Sequence, residues 1–258
     1  MMWDPDQYQR FGDERSRPFF DLVGRIGAEA PRVVADLGCG PGTLTAALAR
    51  RWPGAEVRGI DSSPEMIEAA LARPAGDRER LSFALGDVRD WQPDGDVDVI
   101  VSNAVLQWVP DHLSVLSRWA GFLRPGGWLA FQVPGNFDQP SHRELRALAA
   151  AGRWRGLLAG VRLNRQAGEP AEYADRLARA GFAVDAWETT YLHVLHGDDP
   201  VVDWYKGTGL RPVIAALPPG LAGEFLADFR ARMSEAYPAA PYGTLFPFRR
   251  VFVVAVRR

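Results

Sequence analysis

Two groups of residues in the N-terminal half have the types and spacing for ligand chemistry. Gly38, Gly40 and Gly42 alternate directly after the apolar run 32–37, and acids stand at Asp36, Asp61 and Asp87. Alternate glycines open backbone torsions closed to other residues and remove the side chains that would keep a ligand away from the main chain. A dinucleotide fingerprint would need its third glycine at position 43, where Thr43 stands, and no Walker lysine follows the loop. The loop therefore reads as a cradle for a ligand without a pyrophosphate. An acid closing a second strand, here Asp61, can accept hydrogen bonds from both ribose hydroxyls. An acid with an apolar neighbour, here Asp87 and Val88, can accept from an adenine amino group while the neighbour packs on the ring. These residues together describe a nucleoside site.

The elements that must position them follow from periodicity. Phe19, Phe20, Leu22, Val23 and Ile26 recur at helical spacing, so a helix opens the fold. Residues 32–37 read as a strand and the glycine loop as the turn into a helix carrying Leu44, Ala47 and Leu48. Strands at 56–61, 81–85, 97–102 and 128–133 then alternate with helices at 64–72 and 112–123, the first entered through Ser62 or Ser63 with Pro64. Such alternation implies a mostly parallel sheet covered on both faces. It also brings Asp36, Asp61 and Asp87 to one sheet edge. Beyond Pro134 the pattern changes to helical stretches near 141–151, 170–180, 199–208 and 219–236, a strand at 182–195 and a final strand through Phe252 to Val256. The expected organisation is one domain. Residues 1–30 form an N-terminal lid and helix, 31–134 the ligand-binding core, 135–243 the helices and cap on the far side of the site, and 244–258 a last antiparallel strand.

The glycine loop and strand-end acids resemble those of the class I S-adenosylmethionine-dependent methyltransferases over residues 30–133. The resemblance implies a Rossmann-like α/β fold with a seven-stranded, mostly parallel sheet and a helical cap. It also implies S-adenosylmethionine as cofactor and S-adenosylhomocysteine as product. It assigns Gly38, Gly40, Asn103 and Ala104 to the methionyl portion, Asp61, Ser62 and Met66 to the ribose side, and Asp87 and Val88 to the adenine. Arg15, Asp36, Cys39, Gly42 and Trp108 complete the expected cofactor set.

A closer resemblance, to members of that family that methylate small polycarboxylates, runs over nearly the whole chain. It rests on Tyr8, Phe11 and Arg15-Ser16-Arg17-Pro18, on Asn103 through His112, on Gln132-Val133-Pro134 with Asn136, on Tyr191 and His193, on Trp204, on Gly207 through Pro212, and on Arg249 through Phe252. Gly135 departs from the expected acid before Asn136, and the order Phe248-Arg249-Arg250 leaves Arg250 as the better match for a substrate arginine. The implied acceptor is a small anionic metabolite such as trans-aconitate, held by Tyr8, Gln107, His112, Tyr191, His193, Trp204, Arg211 and Arg250. A carboxylate with a reference pKa of about 4 is already ionised at neutral pH, so methylating it needs no strong base and no catalytic residue is assigned. Arg211 and Arg250 are expected to clamp the carboxylates that do not react, with the attacked one beside Trp108 and Gln107. Two other readings fit the same residues. One is methylation of a different small acid or hydroxylated metabolite, with His112, His142 or His193 as base; the other is a non-catalytic nucleoside-binding regulatory module.

Composition narrows the field. In 258 residues, 30 basic side chains face 32 acidic ones, a net charge of −2 that offers no general field for nucleic acid or an anionic membrane. The charge is uneven: residues 1–140 hold 14 basic against 20 acidic residues and the remainder 16 against 12. Cys39 is the only cysteine, which excludes an internal disulfide and a cysteine metal cluster. With no run of 18 apolar residues and no signal-like start, the expectation is a soluble cytoplasmic protein without a metal; nothing bears on its oligomeric state.

Overall fold

The computed structural model describes residues 12–73, 80–163, 167–218 and 220–258, with side chains from residue 16 onward in those stretches. Helix α1 (Gly12–Val23) leads into β1 (Val33–Leu37), α2 (Thr43–Arg51), β2 (Glu56–Asp61), α3 (Pro64–Leu71) and β3 (Leu81–Leu85). Strand β4 (Val97–Asn103), a 3-10 turn (Leu106–Trp108), α4 (His112–Phe122) and β5 (Leu123–Pro134) complete the alternating half. Then come α5 (Pro140–Ala149), α6 (Trp154–Leu157), α7 (Pro170–Arg179) and β6 (Phe182–Leu195). Helices α8 (Pro200–Lys206), α9 (Arg211–Ala216) and α10 (Leu221–Ala236), the short β7 (Ala239–Ala240) and β8 (Gly243–Arg257) close the chain. Helices α6 and α9 are too short to leave a periodic signature and are not legible in the sequence.

The sheet order is β3-β2-β1-β4-β5-β8-β6, with β7 paired to β8 as an eighth strand. Strands β1 to β5 run parallel to one another, and β8 runs antiparallel to both β5 and β6. This is the expected Rossmann-like α/β architecture. Both faces of the sheet are covered. Leu37, Ile100, Phe131 and Val253 pack against Leu116 and Trp119 of α4 and Tyr173 and Leu177 of α7. On the other face Val34, Val57, Val99, Ala130 and Val254 meet Phe19 and Leu22 of α1 and Leu48 of α2.

The cap hangs on an overhang of the sheet. Strand β5 pairs with β8 only as far as Pro134 opposite Arg250, whereas β6 and β8 stay paired to Leu195 opposite Thr244. This two-stranded ribbon carries Phe246 and Phe248 past the carboxyl edge into a separate apolar cluster with Trp204 and Tyr205 of α8, Val213 of α9, and Phe225 and Phe229 of α10. Phe225, Phe229 and Phe246 are fully buried, each contributing roughly 1.5–3 kcal/mol. The cap is thus fixed over the edge where the glycine loop lies. No helix among the described residues is long and apolar enough to cross a membrane.

Candidate active site

The glycine loop leaves β1 and is tied down before α2 begins. Gly38 and Cys39 donate through their amides to the Ile60 carbonyl at 2.7 and 3.0 Å, locking the loop to β2. Gly40 adopts a φ of 55°, and a β-carbon there would meet no protein atom within 4 Å, so its backbone opens onto free space. At Gly42, by contrast, a β-carbon would lie 2.5 Å from the Phe83 ring. Gly42 lies outside the cavity lining, and what its smallness serves is packing between α2 and β3. Asp61 joins two segments: Oδ2 accepts from the Gly40 amide and Oδ1 from the Ser63 amide, each at 2.9 Å. Ser63 in turn caps α3, its Oγ accepting from the Met66 amide at 3.3 Å. Each carboxylate oxygen keeps lone-pair capacity for a second donor, as a ribose hydroxyl would require.

These elements enclose a cavity of about 640 Å³ at the carboxyl edge. Asp36, Gly38, Cys39, Gly40, Asp61 and Ser62 line it, together with Met66, Asp87, Val88, Asn103, Ala104 and Trp108. Asp36 is almost fully buried and accepts a hydrogen bond from Thr45 Oγ1 at 2.7 Å. Burial pushes its carboxyl up to about 7, with the nearby Asp61 charge adding to the rise. Asp87 is gripped by the Arg89 guanidinium and backbone amide, and the hydrogen bond from that guanidinium holds its carboxyl below the usual range. The Val88 carbonyl accepts from Trp119 Nε1 at 3.1 Å and Arg118 Nη2 at 3.3 Å, which fixes the wall beside Asp87. The Cys39 thiol is pushed far up by burial and the neighbouring carboxylates, so it is not a nucleophile. Ser16 and Arg162 also line this cavity; lying far from the glycine loop in sequence, they carry no local signal.

A second, smaller chamber of about 90 Å³ adjoins the first and shares Asn103, Ala104 and Trp108 with it. Its other walls include Gln107 from the 3-10 turn, Asn136 and Phe137 after β5, His142 of α5, Trp204 of α8 and Arg250 of β8. Arg250 is 5% exposed, lies over the Phe248 ring at 4.4 Å and donates to Gln132 Oε1 at 3.3 Å. Asn136 is 1% exposed, and neither its Oδ1 nor its Nδ2 has a hydrogen-bond partner among the described residues. Gln107 spends its Nε2 on the Ala104 carbonyl at 2.6 Å, and its Oε1 likewise has no partner there. Buried polar atoms left unmade cost about 1–3 kcal/mol each, so their gathering in one chamber marks a site for a polar ligand. Asn136 is absent from the substrate set expected from the sequence.

Several expected acceptor residues lie elsewhere. His112 is not in either lining; its Nε2 is 3.0 Å from the Tyr173 hydroxyl, on the α7 side of the sheet, and burial lowers its pKa. Tyr191 is buried beneath α1 and its hydroxyl donates to Asp21 Oδ2 at 2.5 Å. Arg211 begins α9 outside both linings. The reason is the same for Arg211 and His112: a terminal helical position sets where a side chain starts, and the tertiary packing of that helix sets where it ends. His193 stands one layer behind the chamber, stacked on Trp204 at 5.2 Å, with Nε2 unpartnered among the described residues. Burial, helped by Arg250 and Arg17, drops it to about 4, so it is neutral at physiological pH. Tyr8 and Phe11 lie outside the described residues, and Arg15 lies in α1 where side chains are not described.

Comparison with known proteins gives the family and the fold. Residues 34–127 match the family model described as a methyltransferase domain. The chain is similar to a trans-aconitate 2-methyltransferase of Streptomyces avermitilis, with 54% identity covering 98% of this chain and 96% of the relative. A protein of the same name from Mycobacterium tuberculosis is 48% identical, again over 98% of this chain and 96% of the relative. Among solved structures, the YcgJ protein of Bacillus subtilis superposes with a TM-score of 0.60 at 14% identity, covering 92% of this chain and 96% of that one. Phosphoethanolamine N-methyltransferase 2 of Haemonchus contortus, in complex with S-adenosyl-L-methionine, gives a TM-score of 0.57 at 14% identity over 97% of this chain and 56% of that one. At such identities the two structures speak for the fold alone.

Proposed function

The chain belongs to the trans-aconitate 2-methyltransferase family, and from that premise we propose that its larger cavity holds S-adenosylmethionine and its smaller chamber the tricarboxylate that is methylated. The observation that carries this reading is the common wall. Asn103, Ala104 and Trp108 belong to both cavities, so two ligands bound there would meet at that wall.

The residues of the larger cavity fit the cofactor. The Gly40 backbone faces open space, Asp61 retains lone pairs for ribose hydroxyls, Asp87 with the held Val88 wall suits an adenine edge, and Asp36 supplies a buried acid for a cationic group. When bound, S-adenosylmethionine supplies an electrophilic methyl group whose bonding pair stays with sulfur as the carbon passes to oxygen.

The chain's own task is then to hold an acid. A carboxylate is ionised at neutral pH, so no residue has to remove a proton. His193, neutral and buried behind Trp204, backs the acceptor chamber and is not a base. Attack on a sulfonium methyl consumes both charges, so a cation on the attacking oxygen would stabilise the ground state more than the transition state. Arg250 accordingly grips a carboxylate that does not react, each charge-assisted hydrogen bond contributing on the order of 1.5–3 kcal/mol. Asn136 orients the remainder through its neutral amide nitrogen, Gln107 holds the Ala104 backbone of the shared wall, and Trp108 and Trp204 line the chamber. Catalysis is orientation of a ready nucleophile.

Incubating the protein with methyl-labelled S-adenosylmethionine and a panel of di- and tricarboxylates tests this. The expected product is a mono-ester of trans-aconitate, read by mass spectrometry as one added methyl and removed by mild alkali. Cofactor binding without esterification of any acid in the panel would contradict the assignment.

A further inference from the structure

Arg250, Gln132 and Asn103 form a line of hydrogen bonds that joins the acceptor chamber to the wall shared with the cofactor cavity. Asn103 of β4 and Gln132 of β5 are direct cross-strand partners, so their side chains leave the same face of the sheet. Arg250 Nη1 donates to Gln132 Oε1 at 3.3 Å, and Gln132 Nε2 donates to Asn103 Oδ1 at 2.6 Å. The direction of this line is forced by chemistry. A guanidinium can only donate, so Gln132 must turn its oxygen to Arg250 and its nitrogen to Asn103. Asn103 must then answer with its oxygen, and its Nδ2 is left for the two cavities it lines. The same residue also holds the backbone of that wall, the Gln132 carbonyl accepting from the Ala104 amide at 2.9 Å. Gln132 is 1% exposed and lines neither cavity, so it reaches no ligand itself.

We infer that Gln132 is a positioning residue for methyl transfer: it fixes the Asn103 amide so that a neutral N–H donor, and not a carbonyl oxygen, faces the carboxylate that receives the methyl group. This rests on the functional reading above and deepens it. An amide donor orients the attacking oxygen while withholding the full positive charge that would blunt it. Reversing the amide would set an oxygen lone pair against an anion, which costs binding and alignment together. Arg250 thereby acts on both ends of the acid, gripping one carboxylate directly and polarising the donor for another.

The test compares wild type with Gln132→Glu, Gln132→Met and Asn103→Asp, scoring kcat and KM for trans-aconitate, the Kd of S-adenosylhomocysteine and the melting temperature. Gln132→Glu still accepts from Arg250 but cannot donate to Asn103; Asn103→Asp still accepts from Gln132 but shows only oxygen to the cavities. Each is expected to lower kcat at least tenfold, and Gln132→Glu, at a residue that lines neither cavity, to do so with S-adenosylhomocysteine affinity within about threefold. Adding Gln132→Met to Asn103→Ala should change kcat less than twofold, because the amide it orients is already gone. Wild-type kcat in any folded Gln132 variant or in Asn103→Asp, or a full additional loss in the double variant, overturns the inference. Asn103→Asp decides if neither Gln132 variant folds. Failure of the wild-type protein to esterify any acid is the separate result that removes the functional reading and this inference with it.

Discussion

Gln107 Nε2 donates to the Ala104 carbonyl at 2.6 Å, and Ala104, with a φ of 57°, is the one non-glycine residue with positive φ among the described residues. A left-handed alanine costs roughly 1–2 kcal/mol and persists only where its surroundings over-determine it. Here Gln107 holds its carbonyl and Gln132 its amide, at the wall common to both cavities. Ala104→Gly should therefore leave the melting temperature unchanged or raise it, whereas Ala104→Val should lower stability by about 1–3 kcal/mol in urea denaturation and suppress methyl transfer. Equal stability of the two variants would show that the wall is not strained.

Asp36 gives a pH dependence whose sign is fixed. Burial raises its pKa from 3.8 to about 7, so the free protein holds a proton that the unfolded chain has released. Its contribution to stability is fully present below about pH 4 and is lost as pH rises through about 7. A cationic ligand favours the ionised form, so S-adenosylmethionine affinity should rise with pH, by up to about tenfold per unit below 7, and level off above it. Calorimetry at pH 6.5 in buffers of different ionisation heat should detect proton release on binding. Asp36→Asn should flatten both dependences.

Asn136 carries the opposite signs for stability and function. Its amide is buried with neither atom partnered among the described residues, a cost in the free protein that a bound polar acid would relieve. Asn136→Leu should hold or raise the melting temperature while raising the KM for trans-aconitate at least tenfold. A lower melting temperature with unchanged KM would place Asn136 in the framework alone.

The two arginines read from the sequence should separate. Arg250 lines the acceptor chamber and Arg211 does not. Arg250→Ala is expected to raise acceptor KM about a hundredfold with cofactor affinity nearly unchanged, and Arg211→Ala to shift it less than threefold. Steady-state kinetics on the two variants decides between them.

The glycine-loop cavity was legible because its signal is local. Gly38 to Gly42, Asp61 and Asp87 announce themselves by type and position relative to strand ends, and helix starts such as Ser63-Pro64 follow capping rules. The acceptor side is assembled from β4, β5, β8, α5 and α8, and no spacing rule ties those together. Strand alternation does separate Arg249, turned outward to Glu169 and Glu188, from Arg250, turned inward. It cannot say that His112 ends on Tyr173 or that Arg211 stays outside both cavities, since that depends on how α7 and α9 pack. Gln132 left one trace, a lone amide inside the apolar run 128–133, whose meaning required its partners to be seen.

The claim that two adjoining cavities bring donor and acceptor together is tested most directly by a crystal structure of the protein with S-adenosylhomocysteine and trans-aconitate. The nucleoside is expected in the larger cavity with its ribose on Asp61, and the acid in the smaller chamber with one carboxylate on Arg250 and another at Asn103. An acid bound away from Arg250 and Asn136, or a nucleoside whose sulfur does not face Asn103 and Ala104, would contradict it.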